Sequence, residues 1–235
     1  MKLGIIGAMD VEVNLLKKEI KNLKIEKEGS YEFYLGTIDE VDVIVLLSGI
    51  GKVSAAVGTS LLKERYEPNY IINTGTAGGL RNVEMGDLII GNEIGYHDVD
   101  VTAFNYKLGQ MAQQPVRFKS DKFLLQTVSK AIQKLPVEQK ALQGVILSGD
   151  SFMSNIERVD KVREDFPNAL AVDMESAAIA QTCKQLNIPF VVVRVISDIA
   201  GEGNSKSYDT FVEEAGNKSA KIIINCIEII KNEKI

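Results

Sequence analysis

Short apolar runs that each give way to a helical pattern recur along the whole chain, and this alternation restricts it to the α/β class. Residues 2–8 (KLGIIGA) read as a short buried strand, followed by a helix with Leu15, Leu16, Ile20 and Leu23 on one face. Residues 31–38 and 41–47 read as two strands joined by a short polar turn. After the turn Ser48-Gly49-Ile50-Gly51, the spacing of Val53, Ala56, Val57 and Leu61 predicts a helix. Residues 70–73 form the next buried strand, which ends in the loop Thr74-Gly75-Thr76-Ala77-Gly78-Gly79, and residues 87–90 form another. Between 99 and 115 the periodicity fails, with Gly109, glutamines and Pro115, as in a long functional or interface loop. An amphipathic helix at 120–134 precedes core strands at 142–148, 170–172 and 189–196. One helix begins near Met174 and another fills 207–232. No Pro/Ser-rich linker or repeat interrupts the pattern, so residues 1–235 are expected to form a single α/β domain.

Charge narrows the choice of partners. A net charge of −5 argues against nucleic acid, because counterion release needs clustered Lys and Arg. No segment approaches the ~20 apolar residues of a membrane span. The apolar run at the N-terminus ends in Asp10 and Glu12, lacks a signal peptide's cleavage region and leads straight into a helix. Cys183 and Cys226 sit in apolar stretches without metal-ligand spacing and read as free core thiols. The expected compartment is the cytoplasm, and small-molecule substrates remain open.

In sheets of this kind ligands bind where strands end and loops begin. The first such place is Gly7-Ala8-Met9-Asp10-Val11-Glu12. It is not a dinucleotide fingerprint, since Gly4-Ile-Ile-Gly7 does not supply G-x-G-x-x-G. Taken alone, Asp10 and Glu12 are explained by the positive end of the helix dipole. The second, Ser48-Gly49-Ile50-Gly51-Lys52, hints at a phosphate loop, but Leu46 and Val53 stand where Gly and Ser or Thr are required. The glycines at 75, 78 and 79 suit close approach of a ligand to the backbone. Asp173-Met174-Glu175-Ser176 follows a buried strand, so its carboxylates face a pocket or cap a helix. Arg194-Val195-Ile196-Ser197-Asp198 closes the most apolar strand, where desolvation raises the pKa of a carboxyl towards that of a general acid. A solvated helix cap fits the same spacing. His97 has no Ser or Cys nucleophile pattern around it and reads as structural rather than as a catalytic base. Phe104, Phe152 and Tyr208 offer faces on which a nucleobase stacks, though each alone also fits a core position.

Together these segments resemble the bacterial 5'-methylthioadenosine/S-adenosylhomocysteine nucleosidases of the purine nucleoside phosphorylase superfamily. The matching blocks are Gly4-Ile-Ile-Gly-Ala-Met9 with Glu12, Ser48-Gly-Ile-Gly-Lys-Val53, Ile71-Ile-Asn-Thr-Gly75 with Ala77-Gly78-Gly79, and Tyr96-His-Asp98 with Asp100-Val-Thr-Ala-Phe104. They continue through Ser148-Gly-Asp150 with Phe152, Met174-Glu175, Pro189-Phe-Val-Val-Val-Arg194 and Ile196-Ser-Asp198, in order along the whole chain. The resemblance implies a single-domain three-layer sandwich with a central twisted mixed β-sheet flanked by helices, and a homodimer. It implies hydrolysis of the N-glycosidic bond of adenine nucleoside thioethers, in methionine salvage and recycling of S-adenosylmethionine by-products, with 5'-deoxyadenosine as a further substrate. No metal or organic cofactor is implied.

By position, the resemblance makes Asp198, helped by Ser197, the acid that protonates adenine N7, and Glu12 the base that takes a proton from water held with Arg194 and Thr76. Glu175 would bind the ribose hydroxyls and Met174 would pack on the sugar. Phe152 would stack on adenine while the backbone of Met153 reads its edge. Ile50, Phe104 and Tyr208 would line the 5'-thio pocket, with Val101 and Phe104 reaching in from a partner subunit. Ala77, Gly78, Asp173 and Ala200 complete the implied binding set. The chain departs from the family pattern at Thr76 (usually Ser), Asp173 (usually Glu), Tyr208 (usually Phe) and Ala112 (commonly Pro).

Two related activities compete with this reading. A nucleoside phosphorylase needs cations around phosphate, preferably Arg. Yet the first arginine is Arg65, and the N-terminal turn offers Glu12 instead. The other is a hydrolase acting on futalosine or AMP; an AMP site would need cations at the 5' end, where Ile50, Phe104 and Tyr208 are expected to form an apolar wall. A non-catalytic nucleoside-binding module, from a different class, gives no reason for an apolar-flanked Asp198 opposite Glu12.

Overall fold

The apolar run that ends the sequence's series of strands becomes β10 (Phe190–Ile199), buried along most of its length. Val191, Val193 and Val195 face one core layer while Val192 and Ile196 face the other. A strand buried on both faces has no polar side to show, which is why it reads as a continuous apolar run. The computed structural model describes residues 1–135, 140–202 and 205–233, with 205–210 described at the backbone only.

The other strands are β1 (Lys2–Gly7), β2 (Lys21–Glu28), β3 (Tyr31–Ile38), β4 (Val41–Leu47), β5 (Tyr70–Gly79), β6 (Leu88–Tyr96), β7 (Phe118–Lys119), β8 (Ala141–Ser148) and β9 (Ala169–Asp173). The helices are α1 (Asp10–Glu19), α2 (Lys52–Tyr66), α3 (Lys122–Gln133), α4 (Ile156–Asp165), α5 (Ser176–Gln185) and α6 (Ser205–Asn232). The described strands form one mixed sheet in the order β10-β6-β8-β9-β5-β1-β4-β3-β2, with β7 on β6. Strand β10 also pairs with β5, so β5, β9, β8, β6 and β10 close into a ring from which β1, β4, β3 and β2 extend. Side chains of α1, α3 and α6, such as Leu16, Val128 and Ile223, share one core layer. Those of α2 and α5, such as Leu62 and Ile179, fill the other. The expected three-layer α/β architecture is therefore present.

One irregularity of the sheet positions the site. Along one edge of β5, residues 70–73 pair with β1 and residues 78–79 pair with β9, leaving a gap between them. Strand β1 ends at that gap and α1 begins there. A split between strands diverging on either side of a third is where α/β sheets form crevices.

Several sequence expectations change. Strand β5 continues through the glycine-rich stretch expected to be a loop, because β10 pairs with it as far as Gly79. Helix α1 stops at Glu19, and Leu23 lies exposed on β2, whose charged alternation (KNLKIEKE) hid an edge strand. Helix α4 was not expected, since only Val159 and Val162 of its ten residues are buried. Helix α2 buries Ala55, Gly58, Leu62 and Tyr66; of the face expected, Ala56 and Leu61 pack partly buried against that core, while Val53 is 75% and Val57 44% exposed.

Candidate active site

Glu12 lies in the first turn of α1, three residues after the N-cap Met9, and is 3% exposed. Its Oε2 accepts the backbone N–H groups of Ala8 (2.8 Å) and Met9 (3.1 Å). Across the gap in the sheet, its Oε1 accepts the backbone N–H (2.9 Å) and the hydroxyl (3.3 Å) of Thr76. Four donors thus converge on one side chain, a set that suits an acceptor-only carboxylate. Gly75 makes the approach possible: a Cβ there would stand 2.6 Å from Glu12 Oε1.

Asp198 stands near the end of β10, paired with Gly78 of β5. Its Oδ1 accepts the Ser197 hydroxyl at 2.8 Å, and a Cβ on Gly78 would come within 3.4 Å of Oδ2. Burial raises its pKa above the ordinary value and outweighs the Ser197 hydrogen bond, which lowers it. The desolvation expected from the neighbouring apolar strand is present. Glu12 is anchored at Thr76 and Asp198 at Gly78, about 7 Å apart along β5 at the usual rise of a strand. Two acidic groups in unlike surroundings are thus anchored two residues apart on one strand.

Asp198 and Gly78 line a small cleft together with Ser151, Phe152, Met153, Val172, Asp173, Met174 and Ala200. Phe152 is half exposed at its rim, and the Met153 carbonyl accepts from Gly201 N. Ala77 is buried beside the cleft, and its carbonyl lies 3.4 Å from Ser197 Oγ.

Glu175 occupies the N-cap position of α5, buried, with Oε1 accepting from Gly51 N at 2.8 Å. Burial raises its pKa to about 7; the charges of Asp173 and Glu12 act in the same direction, against the Gly51 amide and Arg194. Gly51 sits at φ 93°, a conformation that favours glycine and aims its N–H at Glu175. The Ser48–Lys52 turn was visible in the sequence, but its use as a donor to Glu175 was not.

Arg194 is joined to Asp173 rather than to Glu12. Its Nε and Nη2 lie 3.0 and 2.9 Å from Asp173 Oδ2, and Nη2 also donates to Asn73 Oδ1 at 2.6 Å. Its Nη1 donates to the carbonyls of Val193 (3.0 Å) and Asn73 (3.4 Å). Four hydrogen bonds and the ion pair with Asp173 therefore hold the guanidinium within the chain.

Ile50, Val101 and Phe104 do not line the cleft of this chain, and the last two were expected to reach in from a partner subunit. Val101 and Phe104 belong to a single 3-10 turn (Thr102–Phe104) and its cap, with Phe104 75% exposed. Ile50 is exposed beside Gly51. The side chain of Tyr208 lies outside the described residues. His97 packs on Gly149, and burial lowers its pKa, favouring the neutral ring.

The phosphorylase superfamily model matches residues 2–228. The chain is 45% identical over 233 residues to the 5'-methylthioadenosine/S-adenosylhomocysteine nucleosidase of Hydrogenovibrio crunogenus, covering 99% of this chain and all of the relative. It is equally similar, at 45% over 232 residues (98% of this chain, all of the relative), to the nucleosidase of Oceanobacillus iheyensis. Among solved structures, the Colwellia psychrerythraea nucleosidase in complex with adenine superposes with a TM-score of 0.95 at 42% identity, over 97% of this chain and 95% of that one. The Neisseria meningitidis nucleosidase in complex with methylthio-immucillin-A gives 0.93 at 42% identity, over 96% and 98%.

Proposed function

The chain belongs to the phosphorylase superfamily and, within it, to the 5'-methylthioadenosine/S-adenosylhomocysteine nucleosidases, and from that premise we propose that Asp198 and Glu12 divide the proton transfers of hydrolysis between them. The single observation that carries this reading is the pair of unlike carboxyl groups set two residues apart along β5, Glu12 at Thr76 and Asp198 at Gly78. Burial pushes the pKa of one above its ordinary value, and the other is surrounded by four donors.

The substrates are 5'-methylthioadenosine and S-adenosylhomocysteine. Asp198 gives its proton to adenine N7, so the electron pair of the C1'–N9 bond leaves into a neutral purine instead of an anion. The ribose passes through an oxocarbenium-like state, as in other glycoside hydrolyses. Water adds to C1' while Glu12 takes its proton, giving adenine and the 5'-substituted ribose. Solvent then returns a proton from Glu12 to Asp198. Glu175 accepts from the ribose hydroxyls, Met174 packs against the sugar and Phe152 lies on the purine, with the Met153 backbone at its edge. Thr76 holds the water with Glu12, and Arg194 contributes its charge from behind Asp173.

A phosphorylase reading would need cations where the N-terminal turn presents Glu12. A carboxylate there repels phosphate and leaves the place to water. Adenine release from methylthioadenosine is expected to proceed at the same rate in phosphate-free buffer as with added phosphate. Release that requires phosphate, with ribose 1-phosphate as product, would overturn the hydrolase assignment. Gly75→Ala is expected to lower kcat about 10- to 100-fold, because the new methyl displaces the Glu12 carboxyl by an ångström or so. Steady-state kinetics on the purified variant checks it.

The whole chain is read as one nucleosidase domain working as a homodimer in the cytoplasm. The outward apolar face of Ile50, Val53 and Val57, together with the exposed Phe104, supports the dimer. A second copy would cover that face and bring its own Val101 and Phe104 to the 5'-thio end of the pocket. Sedimentation equilibrium is expected to give twice the monomer mass, and a monomeric active enzyme would contradict the arrangement. No helix among the described residues is long and apolar enough to cross a membrane, and Cys183 and Cys226 are buried and unpaired, as suits a reducing compartment.

A further inference from the structure

A buried polar chain runs beneath the carboxyl groups and uses two side chains to which the chemistry above gives no part. It starts at β1, where the Ile6 carbonyl accepts from Asn73 Nδ2 at 3.0 Å. Asn73 Oδ1 in turn accepts from Arg194 Nη2, and Arg194 grips Asp173 Oδ2. Asp173 Oδ1 accepts the Ser148 hydroxyl and the backbone N–H groups of Glu175 (3.3 Å) and Ser176 (3.2 Å). Ser148 Oγ also accepts from Ala177 N at 2.8 Å. Asn73, Arg194, Asp173 and Ser148 are all buried.

The chain takes one residue from each of β1, β5, β10, β9 and β8, and on four of them a working group follows within a few residues. Glu12 follows β1, Thr76 lies three residues after Asn73, Asp198 four after Arg194, and Glu175 two after Asp173. Stability alone is a weak reason for such an arrangement, since well-packed apolar residues can replace a buried ion pair without loss. What the relay does supply is a fixed distance between strand ends that diverge at the gap in the sheet.

We propose that Asn73 and Ser148 are positioning residues: acting through Arg194 and Asp173, they fix the Glu175 carboxyl relative to Glu12 without touching the substrate. For its rate readout the inference rests on the nucleosidase reading. The Glu175 carboxyl is faced by Asp173 from β9, Arg194 from β10, Glu12 from α1 and the Gly51 amide from the start of α2. Its ionisation therefore reports on the relay. Removing the Asn73 acceptor leaves more of the Arg194 charge uncompensated, which favours ionised Glu175. Removing the Ser148 donor leaves more of the Asp173 charge uncompensated, which disfavours it.

The test uses the full chain, labelled with ¹³C-carboxyl glutamate, as the parent and as Asn73→Ala and Ser148→Ala. The Glu175 resonance is identified by its loss in Glu175→Gln. The midpoint is expected to fall in Asn73→Ala and to rise in Ser148→Ala, each by roughly half a pH unit or more. In both, kcat is expected to drop about 10- to 100-fold. Melting temperatures lowered with the midpoint and kcat both at parental values would mean that the two residues only support packing, and would overturn the proposal. Should either variant fail to fold, Asp173→Asn keeps size and shape and is expected to lower the Glu175 midpoint; an unmoved midpoint there overturns the proposal as well. The titration is read without substrate, so it stands even if the rate assay contradicts the nucleosidase reading.

Discussion

Asp198→Asn is expected to slow adenine release from methylthioadenosine by about 10²- to 10⁴-fold, or roughly 3–5 kcal/mol of barrier, with the fold intact. Asn has the same shape and its carbonyl oxygen can still accept the Ser197 hydroxyl, which is the hydrogen bond made by Asp198 Oδ1. What it lacks is a transferable proton. Burial keeps that proton on Asp198 to higher pH than on an ordinary aspartate. The parent's rate is therefore expected to fall with rising pH as the proton is lost, and this limb is absent from the variant. Circular dichroism melting alongside a pH series of single-turnover rates checks both points. A variant that melts normally and still releases adenine at the parental rate would remove Asp198 from the chemistry.

Glu12→Gln is expected to lose a similar factor in rate but also to be less stable. Both oxygens of Glu12 accept hydrogen bonds, two from the Ala8 and Met9 amides and two from Thr76. A glutamine amide group turned to either side faces two donors with donors of its own. One such unsatisfied buried arrangement costs about 1–3 kcal/mol. The contrast between the variants is informative: both lose the reaction, and only Glu12→Gln is expected to lower the melting temperature markedly. Equal melting temperatures would mean that the Thr76 and α1 contacts do not hold the carboxyl as the geometry indicates.

The sequence made some of this legible and hid the rest for identifiable reasons. Strands β3 and β4 were readable to the residue, because each alternates or buries its side chains in the usual way and a polar turn separates them. Strand β10 was readable because both its faces are buried. Glu12, Glu175 and Asp198 could be singled out as carboxyl groups at strand ends, and the block resemblance gave them roles. Strand β5 was cut short because glycines read as a loop, although their small size is what lets Glu12 and Asp198 approach the strand. The buried face of α2 was only half legible: Ala56 and Leu61 pack against the core, but Val53 and Val57 point outward, where a second copy is proposed to cover them. The partner of Arg194 was hidden too. Its pairing with Asp173 joins β10 to β9, strands that are not neighbours in the sheet, and no local spacing encodes that. Asn73 and Ser148 carry no signal in isolation, since a single polar residue within a strand is common.

The central claim is that Asp198 protonates the departing purine while Glu12 prepares the water, and a change of leaving group separates the two duties. Adenine release from methylthioadenosine and nitrophenolate release from 4-nitrophenyl 5-methylthioriboside are compared for the parent, Asp198→Asn and Glu12→Gln. Nitrophenolate departs without protonation, so Asp198→Asn is expected to lose most of its defect on that substrate, while Glu12→Gln stays slow on both. An Asp198→Asn defect of the same size on both substrates would contradict the account.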